Sequence, residues 1–198
     1  MSQGSVEDTR RDKFLVQMYS EVWGNINRHL STVWQSAGVL ASAFAIFALV
    51  EKETLPIDFA SSLVVLIAAW LIALTYDANA WYNRNLIIAA NIERQFLIEK
   101  DSREIHHFFT RHRTGENMVD HLKIHFYFGA GLAAIVLISH FITRVVPGFG
   151  ASFCELEMVR SIPYVTALGS GWWIWWFRND LIRKHDDFVR KSPGRDLT

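Results

Sequence analysis

The sequence predicts an all-α integral membrane protein: a four-transmembrane-helix bundle with cytoplasmic helical extensions. Three observations predict it. Four long stretches carry no charged residue, Lys and Arg are distributed to one side, and apolar residues recur at helical spacing in the charged segments between. Hydrophobic residues make up 51% of the 198-residue chain and aromatic residues 14%, including eight tryptophans, yet the 20 basic and 20 acidic residues cancel. Those charges are gathered into blocks, as in a chain that meets two solvents in turn. A net charge of zero leaves no global field to gather nucleic acid, which is excluded as a main partner.

Residues 1–31 read as a cytoplasmic amphipathic helix. Leu15, Tyr19, Val22, Ile26 and Leu30 share one face and Arg11, Glu21 and Asn25 lie opposite, with Thr9 and Asp12 forming a weak capping box at the start. The polar face mixes both signs of charge, which favours packing on another helix over lying on a membrane surface. No apolar run or cleavage site precedes it, so no signal peptide is expected. Residues 32–50 form the first span, 51–58 (EKETLPID) a tight outer hairpin and 59–76 the second span, with no Asp, Glu, Lys or Arg between Asp58 and Asp77. Residues 77–122 form a cytoplasmic helical extension. The stretch from Asp77 to Lys100 lacks Pro and Gly, so the second span should continue as one helix of about 40 residues. A short helix and a turn at Thr114–Gly115–Glu116–Asn117 follow. Residues 123–145 are the third span, 146–160 an outer loop with Pro147, Gly148 and Gly150, 161–177 the fourth span, and 178–198 a charged cytoplasmic tail that frays at Pro193 and Gly194.

Basic residues set the orientation. All of the 20 except Lys52, Arg144 and Arg160 fall before the first span, between the second and third, or after the fourth. That bias places both termini in the cytoplasm of a multi-pass protein of the cell inner (plasma) membrane, as an even number of spans requires. Trp34, Trp81, Trp172, Trp173, Trp175 and Trp176 fall near the cytoplasmic ends and are expected to anchor at the head-group boundary.

Candidate chemistry is sparse. His106, His107, His112, His121 and His125 cluster within twenty residues, and His121 and His125 share a helix face at the spacing of helical metal sites. They are candidate metal ligands, against the plainer reading of interfacial histidines. The HH pair and HLKIH imitate two of the three boxes of di-iron membrane desaturases, but a third box is missing. No GxSxG, P-loop, GxGxxG or HExxH is present, so neither catalytic residues nor a cofactor are expected. The lone Cys154 forms no internal disulfide. Polar and ionisable groups in or near the spans are better candidates: Asp77, Arg84, Asn91, Glu93, Arg94, His140 and Arg144 are read as a polar path or a network between helices. Small residues (Ala37, Ala41, Ala45 and Ala48; Gly129 with Ala133; Ala167 with Gly171) mark packing seams within one chain or between copies.

In architecture, the hairpin Val33–Tyr76 and the segment Asp77–Lys100 resemble the small multi-span effectors of bacterial anti-phage defence, including the SLATT-type proteins. The chain differs in having a second pair of spans and no visible nucleotide-sensing domain. The resemblance implies oligomerisation in the inner membrane followed by permeabilisation or depolarisation. The leading expectation is therefore a non-enzymatic homo-oligomer whose partner is the lipid bilayer. A small transporter or channel subunit, a metal-dependent membrane enzyme, and a scaffold or accessory subunit are the alternatives.

Overall fold

The computed structural model of the chain describes residues 3–33, 36–105, 118–150 and 157–192. Among them there is no strand. The helices are α1 (Gln3–Val33), α2 (Ser36–Glu51), α3 (Ile57–Phe96), α4 (Asp101–Glu104), α5 (Asp120–His140) and α6 (Ile162–Lys191). Past α5 the backbone winds wider over Phe141–Val145 as a π-helix and then tightens into a 3₁₀ turn over Val146–Gly150. Pro147 explains the change, because its ring displaces the Thr143 carbonyl and removes the amide that would have bonded to it. The Thr143 hydroxyl also bonds back to the Ser139 carbonyl at 2.8 Å.

α3 is 40 residues long, a helical rise of about 60 Å, as the absence of internal Pro and Gly leads one to expect. Pro56 stands just before it, where its fixed φ suits a helix entrance and its missing N–H costs nothing. α6 extends further than expected, running unbroken through the fourth apolar run to Lys191. Past Gly171 it meets no helix breaker, and Asp187 pairs with Arg190 (2.7 Å) and Lys191 (2.5 Å) along its last turn. α1 begins at Gln3, ahead of the expected Thr9 start. The expected turn at 114–117 lies outside the described residues.

Two helical stretches, Ile57–Phe96 and Asp120–Phe149, are long and apolar enough to cross a membrane. The first and fourth apolar runs give less. α2 has only 16 residues, about 24 Å of rise against a hydrocarbon core of about 30 Å. α6 interrupts its apolar half with Gly169, Ser170 and Gly171.

The chain divides into two compact units, Met1–Thr32 with Ala78–Asn117 and Leu181–Thr198, and Val33–Asp77 with Met118–Asp180. In the first unit, Val22 and Ile26 of α1 bury against Leu86 and Ala89 of α3, with Tyr19, Trp23, Tyr82 and Ile88 packed around them. The apolar face of the α3 extension thus finds its partner in α1. The Arg84 guanidinium lies 5.2 Å from the Trp81 ring centroid and 4.9 Å from that of Phe188 on α6.

In the second unit, Ala43 of α2, Val64 of α3 and Val136 of α5 form the core, flanked by Ile46, Phe47 and Leu132. At Gly129 of α5, a Cβ would fall 3.0 Å from the Ile72 side chain and 3.3 Å from the Ala68 carbonyl, so any larger residue would push α5 and α3 apart by a few tenths of an ångström. The α2–α3 connection closes at Glu53, whose φ of 56° is left-handed, while the Thr54 and Leu55 amides bond back to the Leu49 carbonyl. Many large apolar side chains of this unit point outward: Phe44 and Leu49 on α2, Leu66 and Trp70 on α3, Ile135 and Ile138 on α5, Leu168 and Trp172 on α6.

Candidate functional site: a buried Asp58–His140–Tyr164 cluster

The most polar part of the second unit is built at the first turn of α3 and the last residue of α5. His140 is 1% exposed and Asp58 3%, so neither can exchange its protein partners for water. His140 Nε2 lies 2.8 Å from Asp58 Oδ1, and Nδ1 lies 3.0 Å from the Tyr164 hydroxyl of α6. An ionised carboxylate only accepts, so Nε2 carries the proton, and on a neutral ring Nδ1 then accepts from Tyr164.

The π-helical turn places Arg144 beside the same carboxylate, donating to Asp58 Oδ2 at 3.3 Å and to Glu157 Oε2 at 3.4 Å. Arg160 donates to Glu157 at 3.0 Å and to the Arg144 carbonyl at 2.9 Å. Its hydrogen bond and charge hold the Glu157 carboxyl below the usual glutamate range, and Glu157 in turn raises Arg160. The result is an alternating chain of acids and bases joining the ends of α3, α5 and α6. Chemically it can pass a proton between the Tyr164 hydroxyl and Asp58 through the imidazole, and it ties three helix ends together.

Away from this end the unit is apolar. From Leu63 to Leu74 every residue of α3 is apolar, about 18 Å of helix, and Val64, Ala68 and Leu71 are completely or almost completely buried. α5 runs from Phe126 to Ile138 with no charged residue and no histidine. The cluster therefore ends in a packed apolar interior.

Of the residues expected to form a polar path, His140 and Arg144 take part in this cluster. Asp77 stands on α3 about 28 Å of helical rise from Asp58. In the other unit, Arg84 lies over its two aromatic rings, Asn91 donates to the Ser192 hydroxyl at 2.6 Å, and Glu93 accepts from the Tyr19 hydroxyl at 2.9 Å. Burial, the Glu93 hydrogen bond and the Glu93 charge push the Tyr19 phenol up, partly offset by a bond from Trp23. Arg94 lines a cleft in that unit.

Trp81, Trp172, Trp173, Trp175 and Trp176 are all exposed, and Trp173 stacks on Phe177. Trp34, His106, His107 and His112 lie outside the described residues. The Nδ1 of His125 bonds to the His121 carbonyl at 2.7 Å on its own helix. Among the described residues no three His, Cys, Asp or Glu side chains converge as a metal site.

Sequence reasoning missed Asp58, Glu157, Tyr164 and Arg160. Asp58 passed as a loop boundary, although an acid at the start of one apolar run and a histidine inside another were the available signal. No family model, no curated protein and no solved structure matches the chain, so the reading of this site rests on its own residues.

Proposed function

We propose that the chain is a four-span integral protein of the inner membrane with both termini in the cytoplasm, and that it acts by associating with itself and opening or perturbing the bilayer. The observation that carries the reading is the outer surface of the second unit. Large apolar side chains are exposed on all four of its long helices (Phe44, Leu66, Ile135, Leu168), while its interior holds small, polar and aliphatic side chains together (Ala60, Ser61, Val64, Leu71, His140). Water would not tolerate such a surface, but hydrocarbon would. This supports crossing by α2 and α6 as well as α3 and α5, in line with the distribution of basic residues.

Two features support self-association over passage through one chain. From Leu63 to Leu74 of α3 and from Gly129 to Ile138 of α5 every side chain is apolar or small, which favours a path for ions between copies over one through a single chain. Gly38, Ala41, Ser42, Ala45 and Ala48 of α2 are exposed, and no atom lies near where a Cβ of Gly38 would stand. A ladder of small residues facing outward lets a second helix approach closely. On this reading the Asp58 cluster locks the outer helix ends, and the chain is an effector of the kind its architecture resembles.

The test is the mass of the particle in mild detergent, read beside membrane potential during expression. Oligomers accompanied by depolarisation are expected, and monomers with an undisturbed potential would contradict the reading. A second reading, a small transporter, draws on the buried Asp58–His140 pair alone. It predicts that His140→Leu abolishes transport while leaving the oligomer intact.

A further inference from the structure

In the first unit, α1, α3 and α6 leave an open cleft of about 610 Å³. That volume is in the range of small-molecule sites, about 300–1,000 Å³. Its walls divide by chemistry. Leu15, Met18, Ile88, Ile92 and Phe188 make an apolar floor, and Arg11, Arg94 and Lys191 bring three cations from three different helices. Among the described residues no carboxylate lines it. Asp12 and Asp187, which pair with Arg11 and Lys191, are not among the lining residues. The amides of Gln95 and Asn91 are held at the edge, Gln95 accepting from Arg11 at 2.9 Å and Asn91 donating to Ser192 at 2.6 Å.

We propose that this cleft is a binding site for a small soluble anion that carries a phosphate on an apolar, preferably aromatic, body. Guanidinium groups match the fork geometry of phosphate oxygens, and the apolar floor takes the body that a bare inorganic ion lacks. The same chemistry is found in the head group of an anionic lipid, but all three cations lie in segments that the distribution of basic residues assigns to the cytoplasm, which favours the soluble source. The site would couple a ligand to α1, α3 and α6 together, because each contributes one of the cations. This inference stands independently of self-association.

The test uses the full-length protein in an uncharged maltoside detergent, with 1-naphthyl phosphate as a fluorescent probe. Saturable binding of one probe per chain is expected, with 1-naphthol and inorganic phosphate each at least tenfold weaker. Arg11→Gln and Arg94→Gln should each weaken binding about tenfold, the loss of one charge-assisted contact. Arg11→Lys should recover part of it. Arg190→Gln, on the same helix as Lys191 but outside the cleft, should change binding less than twofold. Leu15→Trp fills the floor without altering charge and should abolish binding, with helicity measured alongside to show that each variant folds. Naphthol binding as tightly as its phosphate, or Arg190→Gln weakening the probe as much as Arg11→Gln, would overturn the proposal. So would loss of probe binding in nanodiscs containing phosphatidylglycerol but not in phosphatidylcholine discs, since the site would then belong to lipid.

Discussion

Replacing His140 with leucine should destabilise the second unit by about 2 kcal/mol, roughly a thirtyfold shift in its unfolding equilibrium. The change removes the donor that meets Asp58 at 2.8 Å and the acceptor that meets the Tyr164 hydroxyl at 3.0 Å. A hydrogen bond to a charged group contributes about 1.5–3 kcal/mol and a neutral one about 0.5–1.5. Against these stand the burial of an apolar leucine and the average of about 0.6 kcal/mol for side-chain bonds between membrane helices. Arg144 remains beside Asp58 at 3.3 Å and limits the loss, because the carboxylate keeps one cationic partner. Asp58→Asn keeps the shape but removes the charge, and should cost a similar amount. The reasoning lies in the pair, so a double-mutant cycle is the assay: wild type, each single variant and the double variant unfolded by SDS in mild detergent and followed by far-UV circular dichroism. A coupling of about 1–2 kcal/mol is expected. Additivity within about 0.5 kcal/mol would refute the claim that these residues act as a unit.

Ile26→Ala should cost about 2–4 kcal/mol in thermal or denaturant unfolding, since this almost fully buried side chain lies at the centre of the α1–α3 core. Gly129→Leu should destabilise by at least about 1–3 kcal/mol, because even its Cβ would meet the Ala68 carbonyl at 3.3 Å and backbone cannot move aside as a side chain can. For Glu157, Arg160 depresses the folded pKa, so the contribution to stability is fully present above the ordinary glutamate value of about 4.3 and is lost as pH falls through the lower folded value. The difference in stability between wild type and Glu157→Gln should therefore shrink as pH falls below the ordinary glutamate value, and a constant difference would contradict the pairing with Arg160.

Helices were legible where periodicity or the absence of breakers speaks directly. The 40-residue α3 followed from the lack of Pro and Gly after Pro56, and α1 from Tyr19, Val22 and Ile26 on one face. The π-helical turn was not legible, because it depends on Pro147 displacing the Thr143 carbonyl while the Thr143 hydroxyl bonds to the Ser139 carbonyl. Nor was the reach of α6 to Lys191, which depends on Asp187 finding two cations within one turn. In the cluster, His140 and Arg144 stood out because ionisable groups are rare in apolar runs. Asp58 did not, since a carboxylate at the end of a run looks the same in sequence whether it faces water or folds under a neighbouring helix. Tyr164 was hidden for a related reason: an aromatic residue near a span end normally anchors at the interface, and only the packing of α6 beside α5 turns its hydroxyl toward an imidazole. The cleft of the first unit assembles residues 11, 94 and 191, and no local pattern joins positions so far apart.

The central claim is that all four apolar helices cross the membrane, and one labelling experiment separates it from a chain in which only α3 and α5 do. Single cysteines replace Lys52, Lys100 and Lys191 in a Cys154→Ser background and are exposed, in intact spheroplasts, to a thiol reagent that cannot cross lipid. Four crossings place positions 100 and 191 together inside, protected until the membrane is opened, with position 52 labelled at once. Immediate labelling of position 191 while position 100 stays protected would show that α6 does not cross, and the account would fail.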